Sequence, residues 1–370
     1  MTVTRHADVA IVGAGVIGAA IAYYLARSTK LRVVVVERGT PGCEASNAAA
    51  GVLAVSSGRA RQGALLDLRR RSAAMFPALV AALEEETGID LGYRREGLIA
   101  LAFTTAEAEG LHQLIEHRVQ QGLRCEWLTP SEVRALEPSV SANICGGAFF
   151  ADDRSVDSER LVAALVAAAQ RRGVEFRLRA AAQAISPVGD AVKLHLDSGV
   201  VEAGVVVVAA GAWSGELLTS LGVKVPLRPA RGEMLALQCE NWELHHTVSA
   251  EMGYLVPRAG KVLVGSTVAF VGFDKQVTAE GVATLLANAA LMVPRLDGAA
   301  PVRTWAGLRP CPTIRRPIIA PLPGLANVLL ATGHHRNGIL LAPITAQLVT
   351  ELITAATPTV PLHPFSYRRR

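Results

Sequence analysis

Five cysteines, Cys43, Cys125, Cys145, Cys239 and Cys311, are scattered over 370 residues; their number is odd and no two form a CxxC pair. This excludes a disulfide framework and points to reduced thiols in a cytoplasmic protein. Zinc motifs are also missing. His245 with His246, and His334 with His335, are adjacent pairs that lack the one-turn spacing of a helical metal site. No metal is expected. The net charge of +5 comes from arginines spread along the chain, with clusters at Arg69–Arg71 and Arg368–Arg370, and no interleaved aromatic pattern accompanies them. No nucleic-acid surface is expected, and Arg368–Arg370 reads as a solvated tail. There is no internal repeat, no linker rich in Gly, Ser and Pro, and no second GxGxxG unit, so a separate nicotinamide domain is absent. With 51% hydrophobic and 19% charged residues, the chain suits a large packed core and has room for two domains.

The most informative segment runs from Asp8 to Glu37. Gly13, Gly15 and Gly18 lie between an apolar strand-like run and a helical run, and a second strand, Arg32 to Val36, ends on Glu37. Gly13 allows the tight turn, Gly15 lets the backbone approach a pyrophosphate, and Gly18 lets the helix pack on the sheet. The amides of the helix N-terminus then meet phosphate charge, and Glu37 accepts hydrogen bonds from ribose hydroxyls. Ala22 and Leu25 fall on the packing face. Val9 to Ala26 carries no charge and would pass a crude test for a signal peptide or membrane span, but the glycine spacing and the β-branched strand ending in Glu37 favour a dinucleotide site.

Further along, Cys43 to Leu53 is a run of small residues suited to close backbone approach to a flat ring. Helical spacing covers Ala64 to Thr87 with Gly88 as the stop, then Thr105 to Gly122 and Ser131 to Glu137, while Leu98 to Phe103 reads as a strand. Asp157 or Ser158 caps a helix from Glu159 to Arg172, followed by a strand at Val174 to Leu178. A hairpin turning near Asp197-Ser198-Gly199 leads into the β-branched run from Val205, a central strand buried on both faces, whose glycine exit at Gly211 lies near the dinucleotide. Leu235 to Gln238, Gly253 to Pro257 and Lys261 to Thr267 read as antiparallel strands, and Glu280 to Leu291 as a helix.

The last seventy residues carry Trp305-Ala-Gly-Leu-Arg309-Pro and Ala331-Thr-Gly-His-His-Arg336-Asn-Gly-Ile-Leu-Leu-Ala-Pro343. Together with the N-terminal fingerprint, Glu44-Ala-Ser-Asn-Ala-Ala-Ala-Gly51 and Gly253-Tyr254-Leu-Val-Pro-Arg258, the chain resembles, nearly end to end, the glycine oxidase branch of the FAD-dependent D-amino-acid oxidase family. The resemblance implies an α/β fold: a Rossmann-type FAD-binding domain, glutathione-reductase-like, from residues 1–90, 148–225 and 304–370. An inserted α+β substrate domain on an antiparallel sheet takes 91–147 and 226–303. It implies non-covalent FAD, with Arg309 and Tyr254 on the substrate carboxylate and Arg336 as a third site residue. Ala50, Gly51 and Val52 match the backbone beside the reactive flavin nitrogen, and Arg336, Asn337, Gly338, Ile339 and Leu340 match the strip along the pyrimidine end. Ser46 falls near the pyrophosphate and Gly211 near the adenosine; Val16, Ile17, Arg38, Ala49, Ala182, Trp213 and His334 complete the cofactor set. The resemblance leaves oligomeric state open, although family members often form homo-oligomers.

The residue types suit that chemistry. A guanidinium fork holds a carboxylate with two charge-assisted hydrogen bonds and fixes the α-carbon. With the neutral amine so held, hydride passes to the ring without a dedicated acid or base. Main-chain donors around Gly338 to Leu340, at a helix start that Pro343 permits, oppose negative charge on the reduced ring. The expected reaction is oxidation of glycine, another small amino acid or an N-methylated relative to an imine, with O2 reduced to H2O2 and a link to thiamine thiazole synthesis. The alternatives are a D-amino-acid or D-proline/sarcosine-type dehydrogenase using a quinone-like acceptor, and a flavin-binding subunit without catalysis. Arg309 has the alternative of a structural ion pair, Tyr254 of packing, and Arg336 of bridging loops. Cys311 is a small buried thiol or, as in some sarcosine oxidase relatives, a covalent flavin anchor. The family usually has an aromatic residue at His335 and a bulkier one at Val52.

Overall fold

Val33–Val36 are four consecutive buried valines, a pattern that only a strand covered on both faces accommodates. In the computed structural model, which describes residues 5–58, 63–239 and 242–367, this strand lies parallel to Arg5–Val12, which in turn lies parallel to Gly199–Val208. The sheet order is Ile318–Leu322, Leu325–Thr332, Gly199–Val208, Arg5–Val12, Val33–Val36, Glu175–Arg177. All neighbours are parallel except the first pair. The hairpin of Ala182–Val188 and Ala191–Leu196 is attached to Gly199–Val208. Parallel neighbours need crossovers, and the helices Val16–Ser28, Ser158–Arg171 and Gly338–Ile353 bury one face of the sheet in the largest apolar cluster. A second cluster covers the other face. Arg368–Arg370 lies outside the described residues.

The uncharged run from Val9 to Ala26 therefore divides, at the glycine turn, into a strand and a helix. Among the described residues no helix is long and apolar enough to cross a membrane. Ala64–Thr87 is one helix with the bounds its apolar spacing predicts, closed by Gly88 in the left-handed region at φ 73°. Asp157, not Ser158, caps the helix Ser158–Arg171, its side chain accepting from the N–H groups of Glu159 and Arg160. The Ser158 hydroxyl donates instead to the Ala49 carbonyl at 2.6 Å, which ties this helix to the small-residue segment.

The second sheet has eight strands in the order Pro301–Pro312, Leu227–Gln238, Lys261–Gly265, Gly253–Arg258, Thr247–Ala250, Leu98–Ala102, Gly146–Phe150, Cys125–Leu128. It is antiparallel except where Thr247–Ala250 runs parallel to Leu98–Ala102. Two long strands differ from the sequence reading. Leu227–Gln238 starts eight residues before the expected Leu235, because Arg228, Pro229, Arg231 and Glu233 hide its apolar alternation. Pro301–Pro312 pairs with it along its length. The expected segment boundaries at 148 and 304 thus fall inside Gly146–Phe150 and Pro301–Pro312, both strands of this second sheet. Arg309 stands on that sheet, facing the dinucleotide unit across a cavity of about 1220 Å³.

Candidate active site

At one end of the cavity the glycine turn has little spare space. Gly13 adopts φ 101°, and a Cβ there would lie 2.6 Å from the Ala209 carbonyl oxygen; one at Gly18 would lie 1.9 Å from the Gly13 oxygen. The amide end of the helix Val16–Ser28 faces the cavity through Gly13, Gly15, Val16 and Ile17, with the Val16 N–H donating to Ser46 Oγ at 2.9 Å. A helix N-terminus in that position attracts phosphate charge. The Glu37 carboxylate accepts from the N–H groups of Ala14 and Gly39, each at 2.8 Å. These bonds fix its position and leave lone pairs for ribose hydroxyls. Beside it, the Arg38 guanidinium lies 3.6 Å from the centre of the Trp213 ring and pairs with Glu44 at 2.6 Å. Ala182, Gly211 and Trp213 line this same end.

The small-residue segment from Glu44 to Gly51 forms the middle of the wall, and its shape is imposed by side chains from elsewhere. Arg258 Nη2 donates to the carbonyls of Ala50 at 2.6 Å and Val156 at 2.7 Å. Trp305 Nε1 donates to the Ala48 carbonyl at 3.2 Å. Burial pushes the Arg258 pKa down to about 10, so it remains a cation at neutral pH. Gly51 has φ 76°, and a Cβ there would meet the Val156 oxygen at 1.8 Å. Backbone with almost no side chain is thus presented to the cavity, which is what a flat ring system requires. Opposite, the first turn of Gly338–Ile353 ends at the cavity through Asn337, Gly338 and Ile339. Pro343 inside this helix removes one internal hydrogen bond. Directly beside it the Ser72 hydroxyl sits between the Leu340 carbonyl, at 2.6 Å, and the Ile344 N–H, at 3.4 Å, opening the helix at that turn.

The other end of the cavity carries two cations, Arg309 and Arg336. Arg309 donates through Nη2 to Ser266 Oγ at 2.9 Å and through Nη1 to the Thr267 carbonyl at 3.3 Å. Among the described residues no carboxylate pairs with Arg309, so a structural ion pair is not seen there. Burial lowers its pKa, and Tyr254 alongside raises it again. The guanidinium lies over Gly232, where a Cβ would be 2.0 Å from Nη2. Tyr254 faces the cavity, its hydroxyl 3.5 Å from Met234 Sδ. Arg336 also lines the cavity and is near enough to oppose protonation of both Arg309 and His335. His335 adopts φ 50°, and burial with these two cations pushes it down to about 4. Buried His334 bonds Thr345 Oγ1 at 3.0 Å, and burial pushes it down to about 3. Both imidazoles are therefore neutral at physiological pH.

Of the expected site residues, Arg309, Tyr254, Arg336, Gly13, Gly15, Val16, Ile17, Glu37, Arg38, Ser46, Ala49, Ala50, Gly51, Val52, Ala182, Gly211, Trp213, His334, Asn337, Gly338 and Ile339 all line one cavity. Gly18 and Leu340 do not. Gly18 serves the turn's packing, and Leu340 is buried against the Ser72 hydroxyl. Cys311 is half-buried and lines the cavity, two residues along the strand from Arg309 and on its face, so it is not the enclosed thiol expected. Residues that sequence reasoning missed are Arg258, Ser266, Thr267 and Ser72. Arg258 stood within a recognised motif, whereas the others carried no sequence signal. Glycine cradle, side-chain-free wall and helix amide end together fit FAD. Among the described residues no cluster of three His, Cys, Asp or Glu side chains forms a metal site.

Residues 8–352 match the FAD dependent oxidoreductase family. The chain is 37% identical over 369 residues to the glycine oxidase of Geobacillus kaustophilus (strain HTA426), covering 99% of this chain and 98% of that protein. It is 34% identical over 370 residues to the bifunctional protein ThiO/ThiG of Synechocystis sp., covering 98% of this chain and 54% of that one. Its fold superposes on the crystal structure of glycine oxidase from Geobacillus kaustophilus with a TM-score of 0.96 at 36% identity, over 99% of this chain and 100% of that chain. With the Gly13 turn and Arg309 facing one cavity, and with this similarity over nearly the whole length, the chain belongs to the FAD dependent oxidoreductase family.

Proposed function

We propose that this protein oxidises glycine, or another small amino acid or N-methylated relative, to its imine, which water converts to the 2-oxo acid with release of ammonia, or of methylamine from an N-methylated substrate. FAD, when bound, supplies the two-electron acceptor, and O2 is the final oxidant, released as H2O2. The observation that carries the reading is the Arg309 guanidinium, without a carboxylate partner among the described residues and held by Ser266 and Thr267 at the end of a dinucleotide-sized cavity. Arg309 takes both carboxylate oxygens and Tyr254 donates its hydroxyl to one of them. Val52 lines the cavity beside Tyr254, backed by buried Met234 and by Trp305, so this part of the wall offers water no partner. Neutral His335 and the cation of Arg336 disfavour an ammonium group and favour the free amine. Segments 1–90, 148–225 and 304–370 hold the cofactor and the remainder holds substrate, save that the strands crossing 148 and 304 belong structurally to the substrate sheet.

Similarity to chains named glycine oxidase and to bifunctional ThiO/ThiG supports glycine as substrate and a place in thiamine thiazole assembly. The five unpaired thiols support a cytoplasmic setting. The test is anaerobic titration of the purified yellow protein with glycine, sarcosine, D-alanine and D-proline, following flavin absorbance, then admission of air with measurement of peroxide. Bleaching by glycine with peroxide on reoxidation is expected. Bleaching without oxygen uptake would make the protein a dehydrogenase, and no bleaching by any amine would make it a binding subunit.

A further inference from the structure

The cavity that holds Arg309 extends past Tyr254 along the second sheet. Val52 packs in two directions: toward Tyr254, Met234 and Trp305, and toward a separate apolar cluster of Leu98, Ala100, Ala148 and Phe150 with half-buried Leu111 and Leu114. Of this cluster, Leu98, Ala100, Leu111, Leu114 and Phe150 line the same cavity as Arg309. Ala148, Ala100, Ser249 and Tyr254 stand opposite one another across four adjacent strands. At about 4.8 Å per strand the compartment begins roughly 10 Å from Tyr254. Leu98, Ala148 and Phe150 are almost completely covered and form its floor, while Ala100 and the half-buried Leu111 and Leu114 of the helix Thr105–Gln120 border the open side.

We propose that this compartment is the docking and entry site for dioxygen, an inference that rests on the oxidase reading above. Its five lining side chains offer no hydrogen bond, so water gains nothing there and a zwitterionic amino acid has no partner. Dioxygen is apolar and needs none. The inner end of the compartment is Val52, the residue matched to the reactive edge of the flavin, so an oxidant held there reaches the electrons without crossing the carboxylate clamp at Arg309.

Crystals of the holoenzyme pressurised with xenon, an apolar probe for such sites, are expected to show xenon beside Ala100, Leu111 and Leu114. Leu111→Trp and Leu114→Trp, at half-buried helix positions, fill the compartment from the helix side. Enzyme reduced with dithionite and mixed with oxygen in stopped flow reports entry without any amine, so failure of the amine assignment stays distinguishable. The second-order reoxidation constant is expected to fall about tenfold in these variants, the effect of about 1.4 kcal/mol on a barrier, with anaerobic flavin reduction by glycine unchanged. Absence of xenon from the compartment, or unchanged reoxidation in both variants, would overturn the proposal. So would a parallel slowing of reduction by glycine, which would assign the compartment to the amine.

Discussion

Replacing Arg309 by Met keeps much of the buried stem and removes the fork. In the proposed complex the guanidinium makes two charge-assisted hydrogen bonds to the carboxylate, each worth about 1.5–3 kcal/mol, so about 3–6 kcal/mol of binding is lost. At about 1.4 kcal/mol per tenfold, kcat/KM for glycine falls by about 10²–10⁴. Arg309→Lys is expected to lose less, because an ammonium keeps the charge but not the planar fork. Some destabilisation accompanies either change, since Ser266 Oγ and the Thr267 carbonyl lose their donor, and thermal melting reads that effect separately. The decisive assay is steady-state oxidation of glycine beside that of ethylamine, which has no carboxylate. The loss is expected for glycine alone. An equal loss for both amines, or a variant within twofold of the parent on glycine, would refute the carboxylate role.

Gly51→Ala sets a Cβ 1.8 Å from the Val156 oxygen at φ 76°, with a left-handed penalty of about 1–2 kcal/mol before the overlap; purified protein should be colourless and bind added FAD poorly. Its control is Gly110→Ala, where a Cβ meets nothing within 4 Å, expected to keep FAD and gain about 0.5–1 kcal/mol of stability from helix propensity; bound FAD equal to the parent's in Gly51→Ala would contradict the close-approach wall. Burial holds His334 at about 3 against an ordinary value near 6.5, so below pH 6.5 the unfolded chain takes up a proton that the folded one refuses. Its contribution is fully present above pH 6.5 and is lost as pH falls toward 3, by up to about 1.4 kcal/mol per pH unit. Denaturant unfolding between pH 7.5 and 5 should show a shallower pH slope in His334→Gln than in the parent, and an unchanged slope would show that His334 is not the group responsible.

Local rules made much of this protein legible. The Gly13–Gly18 turn, the valine strands and the helix Ala64–Thr87 each follow from periodicity and backbone freedom within a short window, and Glu37 follows from its place at a strand end. The strand Leu227–Gln238 escaped notice because its charged residues are satisfied by the loop and helix cap that follow Lys261–Gly265: Arg231 pairs with Asp274 at 2.7 Å and Glu233 accepts from Thr278 at 2.7 Å. Alternation of hydrophobicity cannot register partners forty residues away.

Sequence by itself determined that a dinucleotide would be bound, because the turn, helix and second strand that hold it are contiguous and their requirements are steric. It also supplied a guanidinium, a hydroxyl and a side-chain-poor segment. Only the tertiary structure decided that Arg309, Tyr254 and Gly51 face one cavity, since they stand on three separate strands or turns brought together by long-range sheet pairing. It also decided that Arg309 has no acid partner among the described residues, while Arg258 spends its donors on three carbonyls, those of Ala50, Val156 and Pro257. The two arginines differ in what surrounds them, and no property of the residue type encodes that.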